Sequence, residues 1–336
     1  MAQTKILITG GMGFIGSNLI RRLMKNHPDW FIINFDKLTY AGNPKNLTDI
    51  EKNPHYIFIK GDVADKVDIQ SAVAIEGPDV VIHMAAESHV DRSISGGDEF
   101  IDTNITGTYN VLEACRIAGT KKVLYVSTDE VYGSQDYGEF VDEKAIMNPS
   151  SIYSAAKASG DLLCIAYFKT YKLPVIISRS SNNFGPYQFP EKFIPLAITN
   201  LLENKKIPVY GEGENVRDWL FVEDNCSALE MLIELGVPGE IYNINAKNEY
   251  TNMEMVDMML GVGGYLNQDM VEFVKDRPGH DFRYAMNNKK MLELGWRPDF
   301  TWRNFKMGLI FTYKWYQNNA NWWKELKLKV VSSNKE

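Results

Sequence analysis

Short, nearly continuous apolar runs rich in Ile and Val recur along the first half of the chain: Lys5–Thr9, Phe31–Phe35, Tyr56–Lys60, Val80–His83, Lys122–Ser127 and Val175–Arg179. Between most of them lie stretches of helical length, such as Ile15–Lys25 and Phe100–Ala118. Runs that are apolar at successive positions suit strands covered on both faces, and their alternation with helices predicts an α/β fold built on a doubly wound parallel sheet.

After Arg179 the texture changes to "SSNNFGPYQFPEKFIP", and later to "GEGENVRDW" and "DRPGHDFRY", which read as loops around a polar site. Helices are expected at Phe193–Glu203 and Asn225–Leu235 and a late strand at Glu240–Asn245. A smaller, discontinuous C-terminal α/β domain follows from this pattern. The boundaries expected are 1–180 plus about 218–246 for the sheet domain and 181–217 plus 247–330 for the second, with 331–336 a disordered tail.

Composition narrows the function. The 336 residues carry a formal net charge of -7, which argues against a nucleic-acid partner, because phosphate-backbone binding needs a basic face. No apolar run is long enough to span a bilayer, and the start of the chain lacks the pattern of a secretory signal. The three cysteines (Cys115, Cys164, Cys226) are far apart and form no C-x-x-C pair, so they read as buried thiols of a cytoplasmic protein. The five histidines show no metal-binding spacing, and no metal is expected.

The first candidate chemistry is "ITGGMGFIGS", which follows the first strand and opens a helix. Gly10, Gly13 and Gly16 allow a tight turn, close approach of backbone to a pyrophosphate and close helix–strand packing, with the phosphates at the helix N-terminus. Asp36 ends the second strand twenty residues after Gly16, where a carboxylate accepts from an adenosine ribose and repels a 2′-phosphate. NAD is therefore expected in preference to NADP. For Asp62, after the third strand, two readings stand: acceptor from the adenine amino group, or helix N-cap.

The second is "YSAAK", which places Tyr153 and Lys157 on one helical face. The lysine and a bound nicotinamide cation would lower the phenol's pKa, letting Tyr153 take a proton from a sugar hydroxyl. The third is "STDEVYG", with Asp129 and Glu130 adjacent. Eliminating water across C5–C6 of a hexose needs a base for the C5 proton and an acid for the departing hydroxyl, and like charges buried together push their pKa values apart. The alternative is a helix N-cap and first turn.

Together "TGGMGFIGS", "DKLTYAGN", "AAESHVDRSI", "STDEVYG", "YSAAKAS", "SNNFGPYQFPEKFIP", "NVRDWLFVED" and "DRPGHDFRYA" make the chain resemble the extended short-chain dehydrogenase/reductases, and within them the nucleotide-sugar 4,6-dehydratases, over nearly its whole length. The resemblance implies a Rossmann-type fold, a lyase with internally recycled NAD, and dTDP-glucose as substrate. UDP-glucose is the alternative, followed by an NAD-dependent 4-epimerase or a non-catalytic NAD-binding protein; "AAESHVD" and "RPGHD" are closer to the dTDP form.

It further implies that Glu130 removes the C5 proton, protonated Asp129 assists loss of the C6 hydroxyl, and Tyr153 with Thr128 and Lys157 handles C4. Cofactor contacts are implied at Gly10, Gly13, Phe14, Ile15, Gly16, Asp36, Lys37, Leu38, Thr39, Asp62, Val63, Ala85, Ala86, Ser88, Thr103 and Asn183. Thr103 and its neighbour Asn104 have packing between helices as their plainer reading. Substrate contacts are implied at Glu87, Ser88, Thr128, Asn182, Lys192, Phe193, Pro208, Tyr210, Arg217, Asn252, Arg277 and His280, with Arg217 and Arg277 as diphosphate forks. Phe184 and Tyr187 stand between stacking on the pyrimidine and anchoring an aromatic core. A homodimer is expected through the helices around Thr103–Cys115 and Ser151–Tyr171. Departures from the pattern are Ser180 and Phe184, where Cys and Tyr are usual, and a short glycine-rich segment at 261–267 that puts the outer helix of the second domain in doubt.

Overall fold

The computed structural model describes residues 3–265 and 268–333. Its strands are β1 (Lys5–Thr9), β2 (Phe31–Asp36), β3 (Tyr56–Lys60), β4 (Val80–His83), β5 (Lys122–Thr128), β6 (Val175–Ser180), β7 (Asn182–Phe184), β8 (Ile207–Tyr210), β9 (Val216–Phe221), β10 (Ile241–Ile244), β11 (Glu249–Thr251) and β12 (Val271–Val274). Seven form one sheet in the order β10-β6-β5-β4-β1-β2-β3, parallel at every pairing. The chain winds outward from β1 to β3 and then returns to place β4 beside β1. The carboxyl ends of β1 and β4 thus flank the point where winding reverses, which is where such sheets open a ligand crevice.

The six strands expected in the first half all form, three of them one residue longer because Asp36, Thr128 and Ser180 still pair in the ladder. Alternate side chains of each strand serve different faces. Ile6, Ile8, Ile32 and Ile82 pack under one layer with Leu19, Leu23, Leu229 and Leu232, while Leu7, Ile33 and Val81 pack under the other with Val73, Val111 and Cys164. All three cysteines are buried and free.

The second lobe holds a three-stranded sheet, β11-β9-β7, and the pair β12-β8 around an aromatic core that includes Phe184, Trp219, Phe221, Phe305 and Trp323. The boundary expected near 218 falls inside β9, one continuous strand; the chain returns to the main sheet through the helix Val222–Leu235. Phe184 is fully buried against Phe221 and Phe305, so it anchors the core and offers no face to a pyrimidine. Tyr187 likewise packs on Trp315 and Trp322.

Three further expectations change. The helix predicted over Phe100–Ala118 is interrupted by a wide turn at Ile101–Thr106 before the regular helix Gly107–Ala118, a local widening of the kind often found at functional sites. The last helix, Ala320–Ser333, runs into the stretch expected as a tail, and Asn334–Glu336 lie outside the described residues. The outer helix Asn252–Gly263 forms and stops on Gly264 at φ 80°, a left-handed cap that suits glycine; Leu266 and Asn267 lie outside the described residues.

Candidate active site

The crevice beside β1 is shaped by missing side chains. A Cβ on Gly10 (φ 77°) would lie 2.8 Å from the Ala85 backbone, and one on Gly16 would lie 2.3 Å from the Gly10 carbonyl oxygen. Neither can be accommodated. Gly13, in contrast, meets only that carbonyl, at 3.3 Å. It opens the helix Phe14–Asn26 with no side chain capping it, so the first N–H groups of the helix are available to an anion. Asp36 is buried at the end of β2, with Oδ2 accepting from Met12 N (2.9 Å) and Oδ1 from Leu38 N (2.7 Å). Burial pushes its carboxyl up against these two donors.

A cavity of about 240 Å³ runs from this cradle to the end of β5. Gly10, Gly13, Phe14, Ile15, Gly16, Asp36, Lys37, Thr39, Asp62, Val63, Ala85, Ala86, Glu87, Ser88, Thr103, Tyr153 and Lys157 all line it. Leu38 does not; it contributes its backbone N–H to Asp36 from a left-handed φ of 60°. The N-cap reading of Asp62 fails, because Asp65 caps the following helix through Val67 N and Asp68 N, while Asp62 pairs with Lys37 at 2.7 Å. Asn104 accepts from Glu87 N and donates to Glu87 O, both at 2.9 Å, which fixes the Ala85–Ser88 loop.

At the end of β5 the hydroxyl of Thr128 accepts from Glu130 N at 3.3 Å and so caps the short turn Asp129–Tyr132. The carboxylates therefore sit in the first turn and are not its cap. Thr128 donates to Asp129 Oδ1 at 3.1 Å, while Asp129 Oδ2 is buried without a partner. An unpartnered buried carboxyl oxygen favours the neutral acid. Burial followed by the nearby Glu130 charge pushes Asp129 well above the usual carboxylate range. Glu130 is also raised by burial, but Arg217, Arg277 and Lys192 pull it back. Asp129 is thus held further toward its neutral form than Glu130. Behind the turn, the buried pair Arg179–Asp161 (2.7 Å) braces it, with Arg179 Nη1 donating to the Tyr132 hydroxyl at 2.7 Å.

The sequence expectation gives Lys157 and a bound nicotinamide cation together the task of lowering the Tyr153 phenol; the protein's own groups act the other way. In the structure burial, then the charge of Glu130, raises that phenol, and a hydrogen bond with Thr128 offsets only part. The lysine is occupied elsewhere: Nζ donates to Val126 O at 2.6 Å and lies 4.2 Å over the Tyr125 ring. Burial lowers it to about 8.

A second cavity, also about 240 Å³, opens toward the smaller lobe and is lined by Glu130, Asn182, Asn183, Lys192, Phe193, Pro208, Tyr210, Arg217, Asn252, Arg277 and His280. Asn183, expected on the cofactor side, lies here, its Oδ1 buried without a partner. Arg217 spends both terminal nitrogens on the carbonyls of Val216, Phe282 and Asp281. Arg277 Nη1 reaches Asp91 at 3.2 Å, and its Nε is buried without a partner. Thr128 and Asp129 line neither cavity; Glu130 lines the second and Tyr153 the first.

Gln188, Glu191 and Lys192 line both cavities and form their common wall. Sequence reasoning found Lys192 and missed Glu191, although both stand in "QFPEK". Glu191 accepts from the Tyr40 hydroxyl at 3.1 Å, and Arg92 lies 3.7 Å over the Tyr40 ring. Only the long-range contact of the 40s loop with this wall marks these residues, and no local spacing encodes it.

A dinucleotide cradle lined by Tyr153 and Lys157, sharing a wall with a second cavity that Glu130 lines, defines a class of enzyme that oxidises and rearranges a sugar while it is attached to a nucleotide. The comparisons agree: residues 7–306 match the model described as GDP-mannose 4,6 dehydratase, and the chain belongs to this nucleotide-sugar dehydratase family. It is 46% identical to the dTDP-glucose 4,6-dehydratase of Neisseria meningitidis serogroup B, covering 96% of each chain. Among solved structures it resembles the dTDP-glucose 4,6-dehydratase of Bacillus anthracis in complex with NAD (45% identity, TM-score 0.89, 96% of this chain and 99% of that one). It also resembles the Streptomyces venezuelae dTDP-glucose 4,6-dehydratase with NAD and TYD bound (43%, TM-score 0.92, 96% and 100%).

Proposed function

We propose that the protein is a lyase converting dTDP-glucose to dTDP-4-keto-6-deoxy-glucose and water, with NAD bound in the cavity beside β1. The observation that carries this reading is the buried acid pair at the end of β5, where Asp129 is held further toward its neutral form than Glu130, whose rise Arg217, Arg277 and Lys192 oppose, with Glu130 on the second cavity and Tyr153 on the first. A simple dehydrogenase or an epimerase needs the tyrosine but has no use for the pair.

The open, uncapped helix start at Gly13 fits a pyrophosphate, and buried Asp36 fits an adenosine ribose. Bound NAD supplies a positive ring that eases ionisation of the phenol, and a site that takes a hydride from C4 and returns it at C6. Tyr153 takes the C4 hydroxyl proton, and the ketone so formed acidifies the C5 hydrogen. Glu130 removes that proton and Asp129 donates its own to the departing C6 hydroxyl, releasing water. Glu130 then returns its proton to C5. One proton passed from Tyr153 to Asp129 resets the site, and Thr128, hydrogen-bonded to Asp129 and to Tyr153, stands between them.

Lys192, Arg217 and Arg277 give the second cavity the positive lining a nucleoside diphosphate requires. Pro208 and Tyr210, which line this cavity, are the residues proposed to meet the pyrimidine. We further infer a homodimer through the helices Gly107–Ala118 and Ile152–Tyr171, which leave Tyr109, Ile117, Leu162 and Tyr171 exposed.

The test is to incubate the purified protein, without added NAD, with dTDP-glucose or UDP-glucose and follow loss of one water by mass spectrometry. Faster loss from dTDP-glucose is expected. Loss mainly from UDP-glucose would overturn the substrate, and loss from neither would overturn the reaction.

A further inference from the structure

The family match stops at residue 306, and the chain continues through the helices Phe305–Asn318 and Ala320–Ser333. Where these helices meet lie Trp315, Tyr316, Trp322 and Trp323, none of which lines either cavity. Hydrogen bonds from this junction nevertheless end on both sides of the cofactor cavity. Trp322 Nε1–H donates to Asn46 Oδ1 at 2.9 Å, and Asn46 Nδ2 donates to the Met12 carbonyl at 2.8 Å. Met12 stands inside the glycine loop, and its N–H is already held by Asp36. On the other side the Tyr316 hydroxyl donates to the Gln188 carbonyl, in the wall between the cavities.

The next residue to Gln188 shows the same dependence. Tyr187 is held at φ 67°, a left-handed conformation that a bulky side chain adopts only when its surroundings enforce it. Its ring lies 4.6 Å from Trp315 and 5.9 Å from Trp322, with the Arg21 guanidinium 4.1 Å from the centre of the Tyr187 ring. Arg21 belongs to the helix that begins at the glycine loop and also donates to the Asn46 carbonyl.

We propose that the aromatic junction Trp315–Trp323 is a clamp that sets how long NAD stays bound, holding the glycine loop through Trp322 and Asn46 and the opposite wall through Tyr316. The proposal rests on the NAD reading above. A cofactor restored within every turnover need not leave, so a tie between the two sides of its cavity slows release without impeding the reaction. Trp322, Asn46 and Tyr316 are positioning residues.

The variant Trp322→Phe removes the indole donor and keeps an aromatic ring; Tyr316→Phe removes one hydroxyl and serves if the first variant folds poorly. NAD content after purification and the rate of NAD release, read by trapping freed NAD with an excess of a second dehydrogenase, are compared with the parent protein. One net hydrogen bond corresponds to release about five-fold faster in either variant, with turnover at saturating NAD within about two-fold. A lower melting temperature with unchanged NAD release in both variants would show the contacts to be structural only and overturn the clamp. A parent protein that neither contains nor binds NAD would overturn the NAD reading itself, and the clamp with it.

Discussion

In the proposed reaction Asp129 is the acid and Glu130 the base, and their environments make separable predictions. Burial raises the folded-state pKa of Asp129, so its neutral form is favoured and stability falls as pH rises from the unfolded value of 3.8 toward the raised one. Asp129→Asn removes this cost. We expect its melting temperature to match or exceed that of the parent at neutral pH, while dehydration falls by about 10²–10⁴-fold with loss of the general acid. Melting curves and turnover on the same samples check both; a clear loss of stability would contradict the neutral assignment. Glu130→Gln should stop water loss while leaving hydride exchange at C4, visible as reduced NAD by absorbance, and unchanged turnover would remove Glu130 as the base. The adjacency of the two acids and the Tyr153–Lys157 spacing were legible in the sequence. The direction of the tyrosine's shift was not, because it depends on burial and on where the Lys157 ammonium points, and Val126 O takes that ammonium.

At the scale of elements, β1 and β4 are tied together at the mouth of the crevice by a buried histidine. His83 faces Thr9 Oγ1 at 2.8 Å and Thr108 Oγ1 at 3.0 Å. Burial lowers it to about 3, so it is neutral in the folded chain, and its contribution to stability is lost as pH falls from about 6.5 toward 3. His83→Ala should cost about 2–4 kcal/mol from the cavity and the loss of its hydrogen bonds with Thr9 and Thr108. Denaturant curves at several pH values should also show a flatter acid limb; an unchanged limb would exclude His83 as its source. The strands around this point were readable because a strand covered on both faces has no polar alternation to obscure it. The interruption at Ile101–Thr106 was not, since its side chains keep helical spacing while the backbone widens. The second lobe was legible only as texture: its sheet joins β7, β9 and β11 across long separations that turn chemistry does not encode.

In the whole molecule the large sheet supplies the cradle and the turn bearing Asp129 and Glu130, and the small lobe supplies the charged wall of the second cavity. The loop bearing Gln188, Glu191 and Lys192 belongs to both cavities, so the proposed cofactor and substrate sites share a partition. The exposed apolar face on Gly107–Ala118 and Ile152–Tyr171 belongs to this scale too. Leu162→Glu, at a position 55% exposed, should shift sedimentation toward monomer with little change in monomer stability; an unaltered mass would place any dimer contact elsewhere.

The central claim is a closed redox cycle within one site, and the most direct measurement follows the hydrogen it moves. Substrate dTDP-glucose carrying deuterium at C4 is converted by the purified protein without added NAD, and the product is read by NMR and mass spectrometry. The account predicts one deuterium per molecule in the C6 methyl group and none released to solvent. Product whose methyl group carries no deuterium would contradict it.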